Sequence, residues 1–406
     1  MDGGCFLESN KVNIKNWVEH IKEDLWMVND YIHDNPELGN EEFKAMEIIT
    51  STLKEFNFEI EKGICGLPTA FQATYQVGEG GPVVGLLCEY DALEGMGHGC
   101  GHNLQAPSII GAAVALSKTI DLEAVTIKVI GTPAEETDSG KITMTKSGFF
   151  DDLDIALMMH GGDRTTVDGN SLASEVVEFH FEGKEAHAAV APEQGISALD
   201  GVLLMFNAIE YLREHVRNDV RMHGIITNGG SAYNIVPGKA SAKFSIRALD
   251  RPYLEEVLER VYNAARGAAL ATGSTVSFQP IKSLENKLNV QPLNDILMEN
   301  AKLAGGKNLT PPRERTGSTD FSIVSHRVPS ACLRVSFVPL GTSNHTTKWV
   351  EAGKSKNGRD AIVVAANALA GTCYDLLHEN EKMKAVKREY FSIKQKQTPV
   401  EQNASI

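Results

Sequence analysis

The chain has 406 residues, 42% of them hydrophobic, and a formal net charge of −14, so it is long enough for more than one core, and its acidity argues against a nucleic-acid partner, which needs a basic surface. The longest apolar runs fall short of a membrane span, and "MDGGCFLESNKVNIKNW" lacks the basic start and apolar stretch of a signal peptide. The six cysteines form no C-x-x-C pair and suit reduced thiols, so the expectation is a cytoplasmic protein without a membrane partner.

In chain order, Asn40 followed by "EEFKAMEIITSTLKEF" reads as a capped helix with Met46, Ile49, Leu53 and Phe56 as its apolar stripe. Three apolar runs follow: "PVVGLLCEYDALE", "VTIKVIGTPAEE" and "DIALMMHGG". Each is too short for a helix and rich in Val, Ile, Leu and Met, which predicts buried strands. Between the first two, "APSIIGAAVALSKTI" predicts a helix with Pro107 near its start. Strands alternating with helices imply an α/β layer with a largely parallel sheet. After Asp163 the pattern changes. Val177, Phe179 and Phe181 alternate with Glu178, His180 and Glu182, the period of a strand with one wet face. A helix follows from near Ile196, with Leu199, Leu203 and Phe206 on one side. "SAKFSIRAL" alternates again, and "YLEEVLERVYNAARGAAL" is again an amphipathic helix. Near Ser283 the chain leaves this part, and "SACLRVSFVPLG" supplies a buried strand that suits the first domain. The expected architecture is a mixed, mostly parallel α/β domain of residues 1–172 and 287–406, with an α+β sandwich of residues 173–286 inserted. The charged tail after His378 reads as a frayed helix or disorder.

Ligands of open α/β sheets gather at the carboxyl ends of the strands. Here every such end carries candidate metal ligands. The first strand runs into Glu89 and Asp91, then into Cys100 and His102 of "GMGHGCGHN". The second runs into Glu135 and Glu136, the third into His160, and the last, through "TSNHTT", into His345. A single histidine in a glycine-rich loop is ordinarily a surface residue, and a lone Glu-Glu pair a solvated helix start. Four strand ends carrying cysteine, histidine and carboxylate together point to a metal cluster. Cys100 sits among glycines with no apolar neighbour, unlike Cys88 and Cys332, which lie in apolar runs as core residues do.

"CEYDALEGMGHGCGHN", "GTPAEETDSGK", "MMHGG", "GKEAHAAVAPEQGISALD", "NIVPGKASAKFSIRA" and "TSNHT" occur in an order that resembles the metal-dependent aminoacylase and carboxypeptidase superfamily. The branch is the amidohydrolase one, that of hippurate and auxin-conjugate hydrolases, aminobenzoyl-glutamate hydrolases and β-alanyl-lysine-type dipeptidases. "EYDAL" with "GCGHN" is most similar to the last two groups. The resemblance covers residues 15 to 375 and implies two divalent metal ions per subunit, zinc or manganese, with cobalt or nickel as alternatives. It makes Cys100 the bridging ligand, where other branches use aspartate. His102, Glu136, His160 and His345 complete the shells, Glu135 is the general base, and Asp91 orients His102. It assigns no role to His98, which reads as structural or rim.

The resemblance also makes the inserted domain a lid or dimerisation domain. Arg247, on the polar side of "KFSIRAL", would clamp a substrate carboxylate rather than remain a solvated charge. Asn234 would help it or polarise the scissile carbonyl. His187 would stabilise the oxyanion when the domain closes; in related dimeric enzymes this histidine comes from the partner, which implies a homodimer. The implied activity is hydrolysis of an amide bond in a small N-acyl amino acid or dipeptide with a free carboxylate, by metal-activated water and Glu135. A dipeptidase for a basic C-terminal residue and an aminobenzoyl-glutamate hydrolase are the alternatives within the class. A non-catalytic binding protein on the same fold is the alternative outside it. Asp320 in "GSTDF" and His326 in "VSHRVP" are further candidates to line the acyl pocket.

Overall fold

The computed structural model describes residues 3–167, 169–312, 315–316 and 319–397, which fall into two compact units. The first unit comprises Met1–Gly169, Leu288–Glu314 and Ile323–Thr398; the second is built from Asn170–Lys287 and Arg315–Ser322.

The first unit begins with helix α1 (Gly3–Asp34). Ile14, Val18, Ile21, Leu25, Val28 and Ile32 recur at spacings of three and four, and all are buried. Helix α2 (Phe43–Glu55) starts at Glu42 rather than at Asn40. Asn40 has a φ of 66°, outside the helix, and the Glu37 carboxylate accepts from the Lys44 and Ala45 amides instead. The expected Asn40 cap is therefore corrected: a carboxylate from upstream satisfies the first free N–H groups. Next come β1 (Glu59–Lys62), β2 (Phe71–Val77), β3 (Val83–Cys88), α3 (Gln105–Thr119), β4 (Val125–Gly131), α4 (Gly140–Lys146), β5 (Ile155–Gly162) and β6 (Thr166–Val167).

The second unit contains β7 (Asn170–Ser171), β8 (Ala173–Glu182), α5 (Ala198–Leu212), β9 (Arg221–Asn228), β10 (Lys239–Ala248), α6 (Arg251–Thr272) and β11 (Thr275–Leu284). Its antiparallel sheet runs β11-β8-β10-β9, with α5 and α6 packed on it. Val177, Phe179, Phe181, Phe244 and Ile246 face Val202, Met205, Ile209, Val257 and Val261 in one core. Both edge strands are additions to the expected strand–helix–strand–helix pattern. β9 buries little, and β11 is interrupted by an irregularity between Pro280 and Lys282, so neither shows a clean two-residue alternation.

The chain returns to the first unit through α7 (Gln291–Leu303). After β12 (Arg315–Thr316), which pairs with β7 in the second unit, come α8 (Phe321–Ser325), β13 (Ser330–Ser336), α9 (Thr347–Ala352), α10 (Lys356–His378) and α11 (Asn380–Gln397). The seven-stranded sheet runs β1-β2-β4-β3-β5-β13-β6. Its four central strands, β4, β3, β5 and β13, are parallel. Cys88 pairs with Gly131, Leu87 with Met158 and His160 with Arg334, so all four carboxyl ends lie along one edge of the sheet.

Helix α10 is, among the described residues, the one helix long and apolar enough to cross a membrane, yet most of its apolar window is buried against α1, α3 and α7. The tail expected to fray is instead helical through Gln397. Val386 and Tyr390 are buried, and Lys387 pairs with Asp154 at 2.5 Å. Residues 398–406 lie outside the described part.

Candidate metal centre

The loop after β3 carries Glu89 and Asp91, then turns through glycines to Cys100 and His102. Gly101, between the two ligand candidates, has a φ of 81°, and a Cβ there would come within 2.9 Å of the Trp349 indole nitrogen. Only glycine fits, which is why this loop reads Cys-Gly-His. His345, on the loop after β13, donates its backbone N–H to Gly99 O at 2.9 Å, so the two loops are joined at the site.

Ligand atoms of Cys100, His102 and His160 all lie within 4.8 Å of one another, and so do those of Cys100, Glu136 and His345. The two groups share Cys100. A third group of the same size joins His102, Glu135 and Glu136. The Cys100 thiol is 3.5 Å from His160 Nε2, and His345 Nε2 is 3.5 Å from Glu136 Oε1. His102 Nδ1 lies 3.0 Å from Asp91 Oδ1, which leaves Nε2 facing inward. The other Asp91 oxygen accepts from the Glu136 amide at 2.9 Å. His160 Nδ1 lies 2.8 Å from Gly161 O, which orients Nε2 likewise.

The donor set fits divalent metal. His102 Nε2 and Glu136 Oε1 are buried and make no hydrogen bond, although Nε2 lies 3.2 Å from Glu89 Oε2 and Oε1 lies 3.5 Å from His345 Nε2. An unsatisfied buried polar atom costs about 1–3 kcal/mol, and an ion bound there removes that cost. Burial pushes the Cys100 thiol up to about 12, so a thiolate at this position needs neighbouring positive charge. Burial and the Arg334 guanidinium bring His160 down to about 4, which keeps its imidazole neutral as a ligand requires.

Two residues that hold Glu89, Lys141 and Gln105, are not singled out by the sequence. Lys141, fully buried on α4, pairs with Glu89 at 2.6 Å, and Gln105 Nε2 donates to the other Glu89 oxygen at 2.7 Å. Burial would raise the Glu89 carboxyl, but Lys141, His102 and His160 hold it below the usual carboxylate range. Lys141 closes the motif "GTPAEETDSGK", with no role read for it in the sequence. Nothing local shows its partner, which is 52 residues away. His98 is buried against α1, with Nε2 3.1 Å from Ile32 O, and burial brings it down to about 3. His326 lies half-buried after α8, and Asp320 is buried just before it.

In the second unit, the loop carrying His187 pairs with the loop carrying Asn234: His187 bridges to Ile235, and the Ala188 amide donates to Asn234 O at 3.0 Å. Both side chains are exposed. Arg247 is at the other end of β10, eight residues past its first residue, Lys239. At about 3.3 Å per residue that is roughly 26 Å along the strand. Within one chain, then, Asn234 and His187 sit on paired loops that leave one end of β10, and Arg247 lies toward the other end of that strand.

Parallel strands feeding a shared-cysteine donor cluster, with a carboxylate to spare beside it, define the class: a metal-dependent amidohydrolase of the peptidase type. The chain belongs to peptidase family M20/M25/M40, whose profile matches residues 84–373. It is 33% identical to the Xaa-Arg dipeptidase of Mus musculus over 95% of this chain and 93% of that protein. It is 30% identical to one of the subunits of the p-aminobenzoyl-glutamate hydrolase of Escherichia coli, covering 94% of each chain. The fold is similar to that of a dinuclear metal binding peptidase of the M20 family from Bacillus subtilis, with a TM-score of 0.71 at 20% identity, covering 88% of this chain and 99% of that one.

Proposed function

We propose that the protein hydrolyses the amide bond of a dipeptide or N-acyl amino acid that carries a free carboxylate. The observation that carries this reading is the pair of donor groups sharing Cys100, with Glu135 beside them and not needed to complete either. Cys100, His102 and His160 would hold one divalent ion and Cys100, Glu136 and His345 a second, and such ions would supply the acidity that makes water nucleophilic near neutral pH. Zinc suits the thiolate and imidazoles, and manganese is the alternative.

Glu135 takes the proton of the attacking water and returns it to the leaving amine. Asp91 holds His102 in the tautomer that presents Nε2. Arg247 grips the substrate carboxylate with its planar fork. His187 and Asn234 act on the scissile carbonyl and its developing oxyanion. Their separation from Arg247 along the sheet supports a homodimer in which the partner supplies them. So does the exposed apolar surface of the second unit: Ile225 (64%) and Ile226 (42%) on edge strand β9, and Leu203 and Tyr211 on α5. Among substrates, a dipeptide ending in a basic residue is favoured, supported by the 33% identical Xaa-Arg dipeptidase and the net charge of −14.

Glu135→Ala tests the assignment of the base. It is expected to lose at least about 10³-fold in kcat, in line with removal of an essential general base, while metal content by atomic emission stays at the wild-type value. Wild-type kcat in this variant would refute the assignment.

A further inference from the structure

Glu135 and Glu136 lie on the turn after β4, and the groups that hold this turn come from far away in the sequence. Asp91 Oδ2 accepts from the Glu136 amide at 2.9 Å, and Glu42 Oε1 accepts from the Ala134 amide at 2.8 Å. The two amides flank Glu135. Ala134 is fully buried with a φ of 60°, a left-handed conformation that alanine seldom adopts, so its surroundings must enforce the turn. Glu42 is fully buried, and its second oxygen takes the Thr69 hydroxyl at 2.6 Å. The Thr69 carbonyl in turn accepts from the Tyr90 hydroxyl at 2.7 Å. Glu42 occupies the N-cap of α2 yet makes no side-chain cap there, because its carboxylate reaches the turn instead. The same segment holds the turn at two more points. Asn40 Nδ2 donates to Asp138 Oδ2 at 2.7 Å, and a Cβ on Gly39 would lie 2.9 Å from Ala134 Cα.

On the reading that Glu135 is the general base, we propose that Glu42 is a positioning residue: with Asp91 it clamps the turn on both sides of Glu135 and so sets the reach of Glu135 and Glu136. Both Glu42 oxygens are committed to Ala134 and Thr69, so its role is to hold backbone rather than to bind an ion.

The test compares wild type, Glu42→Ala and Glu42→Gln by steady-state hydrolysis with zinc loaded, and by zinc affinity of the metal-free proteins against a chromophoric chelator. Misplacing a catalytic group by an ångström costs on the order of 10²-fold in rate, and loss of a group supporting a metal ligand weakens metal binding about 10- to 100-fold. Glu42→Ala is therefore expected to lower kcat at least about tenfold with KM within about threefold, and to weaken zinc binding about tenfold. Glu42→Gln keeps an oxygen that can accept from Ala134 and is expected to hold both quantities within about threefold of wild type. If Glu42→Ala does not fold, Thr69→Val, which frees one Glu42 oxygen, should show the same pattern at smaller size. Unchanged kcat and zinc affinity in Glu42→Ala, equal losses in the Ala and Gln variants, or a loss confined to KM would each overturn the proposal. A wild type that binds zinc but cleaves no amide would defeat only the hydrolase reading, and weakened zinc binding in Glu42→Ala would still support the clamp.

Discussion

Cys100 carries the greatest burden of any single residue, because both donor groups pass through its sulfur. A thiol held up at about 12 is a poor ligand until cations compensate it, so metal binding and deprotonation there are linked. Glu42 shows the same physics in a carboxyl that binds no metal. Burial raises it from an ordinary 4.5 to about 7, with the Asp91 charge adding to the rise and the Thr69 and Ala134 hydrogen bonds opposing it. A carboxyl raised on folding favours the native state fully below its unfolded pKa, and that contribution is lost as pH rises through its folded pKa. The stability of wild type relative to Glu42→Gln is thus expected to fall between about pH 4.5 and 7, by up to ~1.4 kcal/mol per unit, and to level off above. Urea unfolding of both proteins across this range checks it. A difference that does not change with pH would show that Glu42 is not raised.

At the scale of elements, the site depends on a sheet backed by three helices in close contact. Gly111 of α3 sits where Leu25 of α1 and Ala366 of α10 converge, and a Cβ there would lie 2.8 and 2.9 Å from their side-chain carbons. Gly111→Val is expected to destabilise the first unit by about 1–3 kcal/mol, seen as a lower urea midpoint with an unchanged slope, because overpacking outweighs any gain in helix propensity. An equal or higher midpoint would mean that the three helices can separate at little cost. These central elements are the legible ones. β3, β4 and β5 are mostly apolar runs, β8 and β10 alternate cleanly, and each parallel strand carries, or leads through its following loop to, a cysteine, histidine or carboxylate. β9 and β11 escape a reading of the sequence because edge strands bury too little to impose a period. α11 reads as a frayed tail because its many basic residues mask the two buried anchors, Val386 and Tyr390. The clamp on the turn that carries Glu135 is not legible at all. Glu42 bonds to a backbone amide 92 residues away, and "NEEF" looks the same whether its glutamates are solvated or buried.

For the whole molecule, the second unit holds Arg247 toward one end of β10 and the His187–Asn234 loops off the other, and the proposed homodimer would let one substrate meet both. Complementation tests this. His187→Ala and Glu135→Ala, each inactive alone, should regain about a quarter of wild-type activity when co-expressed, since half the dimers are mixed and one site in each mixed dimer is intact. No recovery in verified mixed dimers would place His187 in the same chain as the site it serves. The measurement that bears most directly on the proposed chemistry is amine release by chelator-treated protein, before and after zinc, manganese or cobalt is restored. The substrates are a dipeptide ending in arginine, an N-acyl amino acid and aminobenzoyl-glutamate. Turnover that is lost on chelation and restored by metal, fastest on the arginine dipeptide, is the predicted result. Stoichiometric metal binding without cleavage of any of the three would contradict the assignment and identify a binding protein that keeps the fold.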